Sequence, residues 1–228
     1  MADERTWEGL FQDALRLVDE IRTHGSKHLY WTFGGGTVLM RKYRHRLSKD
    51  IDIFVPDPQV LNYVNPRLSQ VAEDLTVHYD EANSFIKLFL PDGEIDFVAS
   101  SNLTENPYVD EEIFGRTVHV EAAAEIVAKK LFHRGDHLLA RDMFDFALVA
   151  EKEPDELLKA SRFLVRHITP IKATLAGDLT NLRLQFDAIE KLSFNPTFDR
   201  VRDIVIQTLD SAAQHVEKET YANRSPTG

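Results

Sequence analysis

Between Asp3 and Gly25 the apolar residues Leu10, Phe11, Ala14, Leu15, Leu17, Val18 and Ile21 recur at intervals of three and four, which predicts an amphipathic helix ending at Gly25. The run HLYWTF, residues 28–33, reads as a strand. GGGT follows at 34–37, with Thr37 placed to cap a helix carrying Val38, Leu39 and Met40. Alternation returns in DIDIFV, residues 50–55, which Pro56 and Pro58 bound as a second strand. Residues 59–74 read as helix and 76–79 as extended. SFIKLFL and EIDFVAS flank Pro91-Asp92-Gly93 as a hairpin, giving a sheet of about five strands.

After RTVHV, residues 116–120, the period becomes helical and stays so. Helices are expected over 121–134, 136–152, and near 155–167, 179–191 and 197–217, the last with Pro196 at its first helical position. The fold class is therefore α+β: a mixed-sheet core over 1–120, a helical C-terminal region over 121–218 and a flexible tail over 219–228. Pro154 is a second possible boundary.

The chain has 228 residues, 43% of them hydrophobic, enough to bury a sizeable core. No window approaches the roughly 20 unbroken apolar residues of a membrane span, and the N-terminus is charged where a signal peptide is apolar. A cytoplasmic location without membrane contact is expected. With Cys 0, thiolate catalysis and cysteine zinc sites are excluded, so any metal is held by oxygen or imidazole. The formal net charge of -10 opposes a polyanion at long range, yet residues 41–49, RKYRHRLSK, carry Arg41, Lys42, Arg44, Arg46 and Lys49 with no acid.

That cationic run lies between two elements with chemistry of their own. Side chains two apart in a strand share a face, so Asp50 and Asp52 project together, an arrangement that a divalent cation such as Mg²⁺ relieves. Glycines at a helix mouth let an anion approach free backbone N–H groups, and Gly35, Gly36 and Thr37 offer such a phosphate seat. Asp96 in GEIDFV supplies a third carboxylate on a later strand, with Glu94 competing for the role. Carboxylate-held metal beside a phosphate seat is the equipment of nucleotidyl transfer.

Gly35-Gly36-Thr37, followed after twelve residues by Asp50-Ile51-Asp52-Ile53, resembles the signature of the DNA polymerase β-like nucleotidyltransferase superfamily. RLSKDIDIF with the later KKLFHR and RDMFDFAL resembles the AbiEii/AbiGii nucleotidyltransferase toxins over residues 30–150. The resemblance implies that Gly35, Gly36 and Thr37 hold phosphate, Ser48 supports the nucleotide, and Asp50 and Asp52 bind Mg²⁺ with Asp96 as third ligand. It further implies that Lys130 meets the triphosphate and Asp145 completes the site; Arg46, from the cationic run, is read as nucleotide-binding. An NTP substrate, a cognate antitoxin protein and a tRNA acceptor follow from the same resemblance.

Other readings stay open on the residues alone. Lys130 shares a helix face with Ile126 and Ala123 and leaves from the packed side, whereas Lys129 lines up with Glu125 and His133; yet Lys130 could also snorkel from a helix edge. Arg141 and Asp145 have the spacing of an ordinary helical ion pair, and His133 and His137 that of a surface pair. The rivals to an RNA-directed enzyme are a nucleotidyltransferase acting on a small molecule or protein, and a non-catalytic nucleotide-binding module.

Overall fold

A computed structural model of the chain describes residues 6–224. Contacts group these into two units: the described residues up to 102 with 108–122, and residues 103–107 with the described residues from 123 onward. The chain crosses between the units after 102, 107 and 122, and the short return of 103–107 has no counterpart in the sequence reading. No described helix is long and apolar enough to cross a membrane.

The first unit opens with α1 (Thr6–His24), whose buried stripe of Leu10, Phe11, Ala14, Leu15, Leu17, Val18 and Ile21 is the one read from the period. Its seven-stranded sheet has the order β3-β4-β5-β2-β1-β7-β6. The strands are β1 (Thr32–Gly34), β2 (Ile51–Val55), β3 (Tyr79–Ala82), β4 (Phe85–Leu90), β5 (Gly93–Ala99), β6 (Tyr108–Ile113) and β7 (Arg116–Glu121). β2 runs parallel to β5 and β1 parallel to β7, with the remaining neighbours antiparallel, so the sheet is mixed as expected. Alternation gives it two unlike faces. Phe33, Ile51, Ile53, Ile86, Leu88, Ile95 and Phe97 are buried on one, and Asp52, Lys87, Glu94 and Asp96 are half-buried on the other.

The two strands beyond the expected five are β6 and β7: β6, YVDEEI, is an edge strand with Asp110 and Glu112 exposed, and β7 covers the RTVHV segment at the border of the helical region, while β3 begins three residues later than the extended segment read at 76–79. Between Pro58 and Leu75 the expected single helix is split by Asn65-Pro66 into a 3-10 turn over Pro58–Val64 and α3 (Gln70–Leu75), capped by Ser69. α2 (Gly35–Tyr43) follows β1 without a linker, so Thr37 lies inside its first turn and is not its cap.

The second unit is helical: α4 (Ala123–Arg134), α5 (Ala140–Lys152), α6 (Pro154–Lys159), α7 (Ser161–Leu164), α8 (Ile168–Ala176), α9 (Thr180–Asp187) and α10 (Phe198–Arg224). Phe144, Phe186 and Phe198 pack edge to face at its centre, with centroids 5.5–5.8 Å apart. The unforeseen α8 tolerates Pro170 because the proline lies in the first turn, where its missing N–H has no helical partner. α10 starts two residues later than Pro196, with the Thr197 hydroxyl accepting the Arg200 amide as a cap, and continues through 219–224, part of the expected tail. The rest of that tail, 225–228, lies outside the described residues.

Candidate active site

The polar face of the first unit's sheet is assembled by register. Gly34 pairs with Asp52, Asp52 with Asp96, and Asp96 with Lys87, which places one glycine, two carboxylates and a lysine in a single row across β1, β2, β5 and β4. Residues directly opposite in a sheet share a face, so the row is continuous. Lys87 Nζ donates to Glu94 Oε2 at 2.6 Å and lies 3.1 Å from Asp96 Oδ2. Lys87 and Glu121 are the polar residues that motif reading missed. The first was recoverable: a hairpin pairing Leu90 with Gly93 sets Lys87 opposite Asp96. Glu121 is buried at the end of β7, accepts the Thr32 hydroxyl at 2.7 Å and lies against Gly34.

The glycines are close-packed by this chemistry. Gly35 has φ +77, a left-handed conformation that favours glycine, and a Cβ there would overlap the Asp52 carboxylate. A Cβ on Gly36 would overlap the Arg46 guanidinium and meet Ser48 Oγ. The mouth of α2 is therefore lined by Asp52 at one glycine and Arg46 at the next. Thr37 ties the ensemble together: its hydroxyl donates to the Asp50 carbonyl at 2.6 Å and lies 3.2 Å from Ser48 Oγ. The Ser48 amide in turn points at Met40 Sδ, 3.2 Å away.

Asp50 departs from the arrangement read in the sequence. Its Oδ1 accepts the Glu94 amide at 3.1 Å, and among the described residues no three acidic or imidazole side chains converge as a ready metal cage. The carboxylates brought together are Asp52 and Asp96. Burial, and then the Asp52 charge, push the Asp96 carboxyl up to about 7 despite Lys87 beside it. Asp96 Oδ1 is buried without a hydrogen-bond partner. An acid pair that resists joint ionisation and carries an orphaned oxygen fits a hard divalent cation, and Mg²⁺ commonly takes one or two carboxylates with substrate phosphates completing its shell.

The cationic run 41–49 is not one patch. Arg41 stacks over Trp7, its Cζ 4.9 Å from the ring centroid, and pairs with Glu111 at 3.0 Å. His45 and Arg46 are buried, with Arg46 Nη1 donating to the Leu47 carbonyl, so exposed cations remain at Lys42, Arg44 and Lys49.

Lys130 and Asp145 belong to the second unit. Lys130 Nζ lies 2.7 Å from Asp142 Oδ1 and 2.9 Å from Asp145 Oδ2, and all three side chains are buried. Lys130 thus leaves from the packed side, but so does Lys129, buried 3.4 Å from Glu125. Asp145 is paired with Lys130 while Arg141, four residues before it, is exposed. Burial would raise the Asp142 carboxyl, but the Lys130 and Arg134 charges outweigh it and hold it below the usual carboxylate range. His133 and His137 are both exposed, as a surface pair would be.

The sequence profile of the family described as "Nucleotidyl transferase AbiEii toxin, Type IV TA system" matches residues 16–214. Among solved structures, the chain is similar to the nucleotidyltransferase toxin MenT4 of Mycobacterium tuberculosis H37Rv, with TM-score 0.56 and 17% identity over 93% of this chain and 86% of that one. A crystal structure from H. pylori described as a nucleotidyltransferase gives TM-score 0.53 and 13% identity over 96% of this chain and 98% of that one. At such identities the likeness is one of fold. No curated protein matches the sequence.

Proposed function

The chain belongs to the AbiEii nucleotidyltransferase toxin family, and on that premise we propose that it moves a nucleoside monophosphate from an NTP to a hydroxyl of an RNA acceptor, with tRNA as the class, in a Mg²⁺-dependent reaction. The observation that carries the reading is the row Gly34, Asp52, Asp96 and Lys87 beside the glycine mouth of α2. Family membership adds a cognate antitoxin protein as partner.

In this reading the acceptor oxygen bonds to the α-phosphorus as the bond from that phosphorus to the bridging oxygen breaks, and pyrophosphate leaves. Asp96, the carboxylate beside Asp52 in the row, helps take up the hydroxyl proton. Mg²⁺, held by Asp52 and Asp96 with Asp50 the third candidate, would offset the charge of the triphosphate and stabilise the leaving pyrophosphate. Gly35 and Gly36 let phosphate approach the α2 backbone, Arg46 adds positive charge there, and Thr37 and Ser48 hold that turn against β2. Lys130 is assigned to the triphosphate and Asp145 to its support by the family pattern alone.

The burial of Arg46 and the pairing of Arg41 favour a second reading, a small-molecule acceptor, since they shrink the cationic surface next to the site. One experiment separates the two. Wild type and Asp52→Asn are incubated with Mg²⁺ and each α-labelled NTP against total tRNA and a small-molecule extract. Label on RNA that requires both Asp52 and Mg²⁺ is expected. Label confined to small molecules would transfer the assignment to the second reading, and label independent of Asp52 would remove the proposed centre altogether.

A further inference from the structure

We infer that the phosphate backbone of the RNA acceptor is held on a basic, aromatic-backed surface of the second unit, built from Arg162 and Arg166 with Phe132, His133, Arg134 and Phe163. The inference rests on the reading of the acceptor as RNA. In a chain of net charge -10, a polyanion needs a local cationic surface, and the run 41–49 is partly consumed by Glu111 and by burial.

Arg166 lies with its Cζ 4.0 Å from the Phe132 centroid, and Arg162 with its Cζ 4.7 Å from that of Phe163. The two rings meet edge to face at 6.2 Å, and His133 stands edge-on to Phe132 at 5.1 Å. Both arginines are exposed, sit four residues apart across α7 and the following 3-10 turn, and have no acidic partner among the described residues. Arg134 is only loosely neutralised, 4.0 Å from an Asp142 already bonded to Lys130.

A guanidinium laid on a ring loses little further freedom on binding. Its N–H edge stays available to phosphate and its outer plane to an unstacked base. The local field agrees: burial, followed by the charges of Lys129, Arg134 and Arg166, holds the His133 imidazole below its ordinary value. An acidic protein would also find the charge, but stacked guanidinium planes are the equipment for single-stranded nucleic acid.

The test measures binding of the full chain to total tRNA across roughly 50 to 200 mM salt. Arg162→Gln with Arg166→Gln should flatten the slope of log K against log salt by about 1.4 and weaken binding about 25-fold near 0.1 M, as two lost phosphate contacts require. Arg162→Lys with Arg166→Lys should restore the slope. Should the double glutamine variant melt early, the single exchanges, each worth about 0.7 in slope, decide the matter. Unchanged affinity and slope in the glutamine variants, while wild type still labels tRNA, would overturn this inference and leave the proposed function standing. Wild type that neither binds nor labels tRNA would overturn the acceptor reading and this inference with it. Retained tRNA affinity with lost binding to polyglutamate would hand the surface to an acidic protein instead.

Discussion

Each unit contains a lysine set between two carboxylates, and the two clusters are nearly equal in distance and opposite in character. Lys87 stands 2.6 Å from Glu94 and 3.1 Å from Asp96; Lys130 stands 2.7 Å from Asp142 and 2.9 Å from Asp145. The first cluster is partly open, its side chains 26%, 36% and 20% exposed, whereas those of the second are 9%, 2% and 0% exposed. Each leaves one oxygen buried without a partner, Asp96 Oδ1 and Asp142 Oδ2. Charge separates them. Asp52, Glu94 and Asp96 share one sheet face with Lys87, so acid exceeds base even when Arg46 is counted. Lys130 and Arg134 instead balance Asp142 and Asp145. In the proposed function the open cluster receives a cation, whereas the closed one ties α4 to α5.

The sharpest way to break this distinction is to remove one acid from the overloaded cluster. Asp52→Asn should lower nucleotidyl transfer roughly a thousandfold, because the expected loss is several kcal/mol of stabilisation of transition-state charge. Its stability should hold or rise, since a charge repelling Asp96 is gone. Label transfer and a urea midpoint measured on the same preparation read both effects, and near-normal transfer would sink the metal assignment. The closed cluster should answer in stability. Lys130→Met strands two buried carboxylates and should cost about 3–5 kcal/mol in urea unfolding. A loss under about 1 kcal/mol would mean that the cluster bears no such strain.

The contrast was half legible in the sequence. Asp52, Asp96 and the glycines could be found because strand alternation and motif spacing are periodic properties, and the sheet register then brought two of the acids into one row. Whether a charged side chain turns inward is not periodic. Arg46 sits in a string of charge and Lys129 on the helix face shared with Glu125 and His133, and both are buried, one over Gly36 and the other against Glu125. Asp50 alternates correctly with Asp52, yet the Glu94 amide takes its oxygen, a contact that requires knowing which strand lies alongside β2. The 41–49 run is not one continuous patch for the same reason: Glu111, which neutralises Arg41, comes from β6, a strand that the pattern did not announce.

A smaller effect should appear with pH. The Asp96 carboxyl is raised to about 7 in the folded chain, against about 3.9 when unfolded, so its contribution favours folding in full below the lower value and disappears as pH rises through the higher one. Metal-free wild type should therefore lose stability relative to Asp96→Asn between about pH 4 and 7, the shift between their urea midpoints levelling off above that range. Asp142 has the opposite sign. Held low by Lys130 and Arg134, it stabilises the fold above its unfolded value and gives that up only on acidification. A constant gap between wild type and Asp96→Asn would show that Asp96 is ionised without cost.

The least effect on stability should come from the lysine whose surroundings look most like those of Lys130. Lys87 is 26% exposed, so solvent screens its pairs with Glu94 and Asp96, and Lys87→Met should cost no more than about 1 kcal/mol in the same unfolding measurement. Its signature should lie elsewhere. Lys87 is a charge that opposes burial and Asp52 at Asp96, so removing it should carry the Asp96 titration in the metal-free chain further up from about 7, read from the pH dependence of the urea midpoint. Two lysines at matching distances would then differ in what their loss does, one in the stability of the fold and the other in the protonation of an acid. A Lys87→Met chain as unstable as Lys130→Met would erase that difference, and with it the argument that spare negative charge, and not the ion pair itself, marks the site.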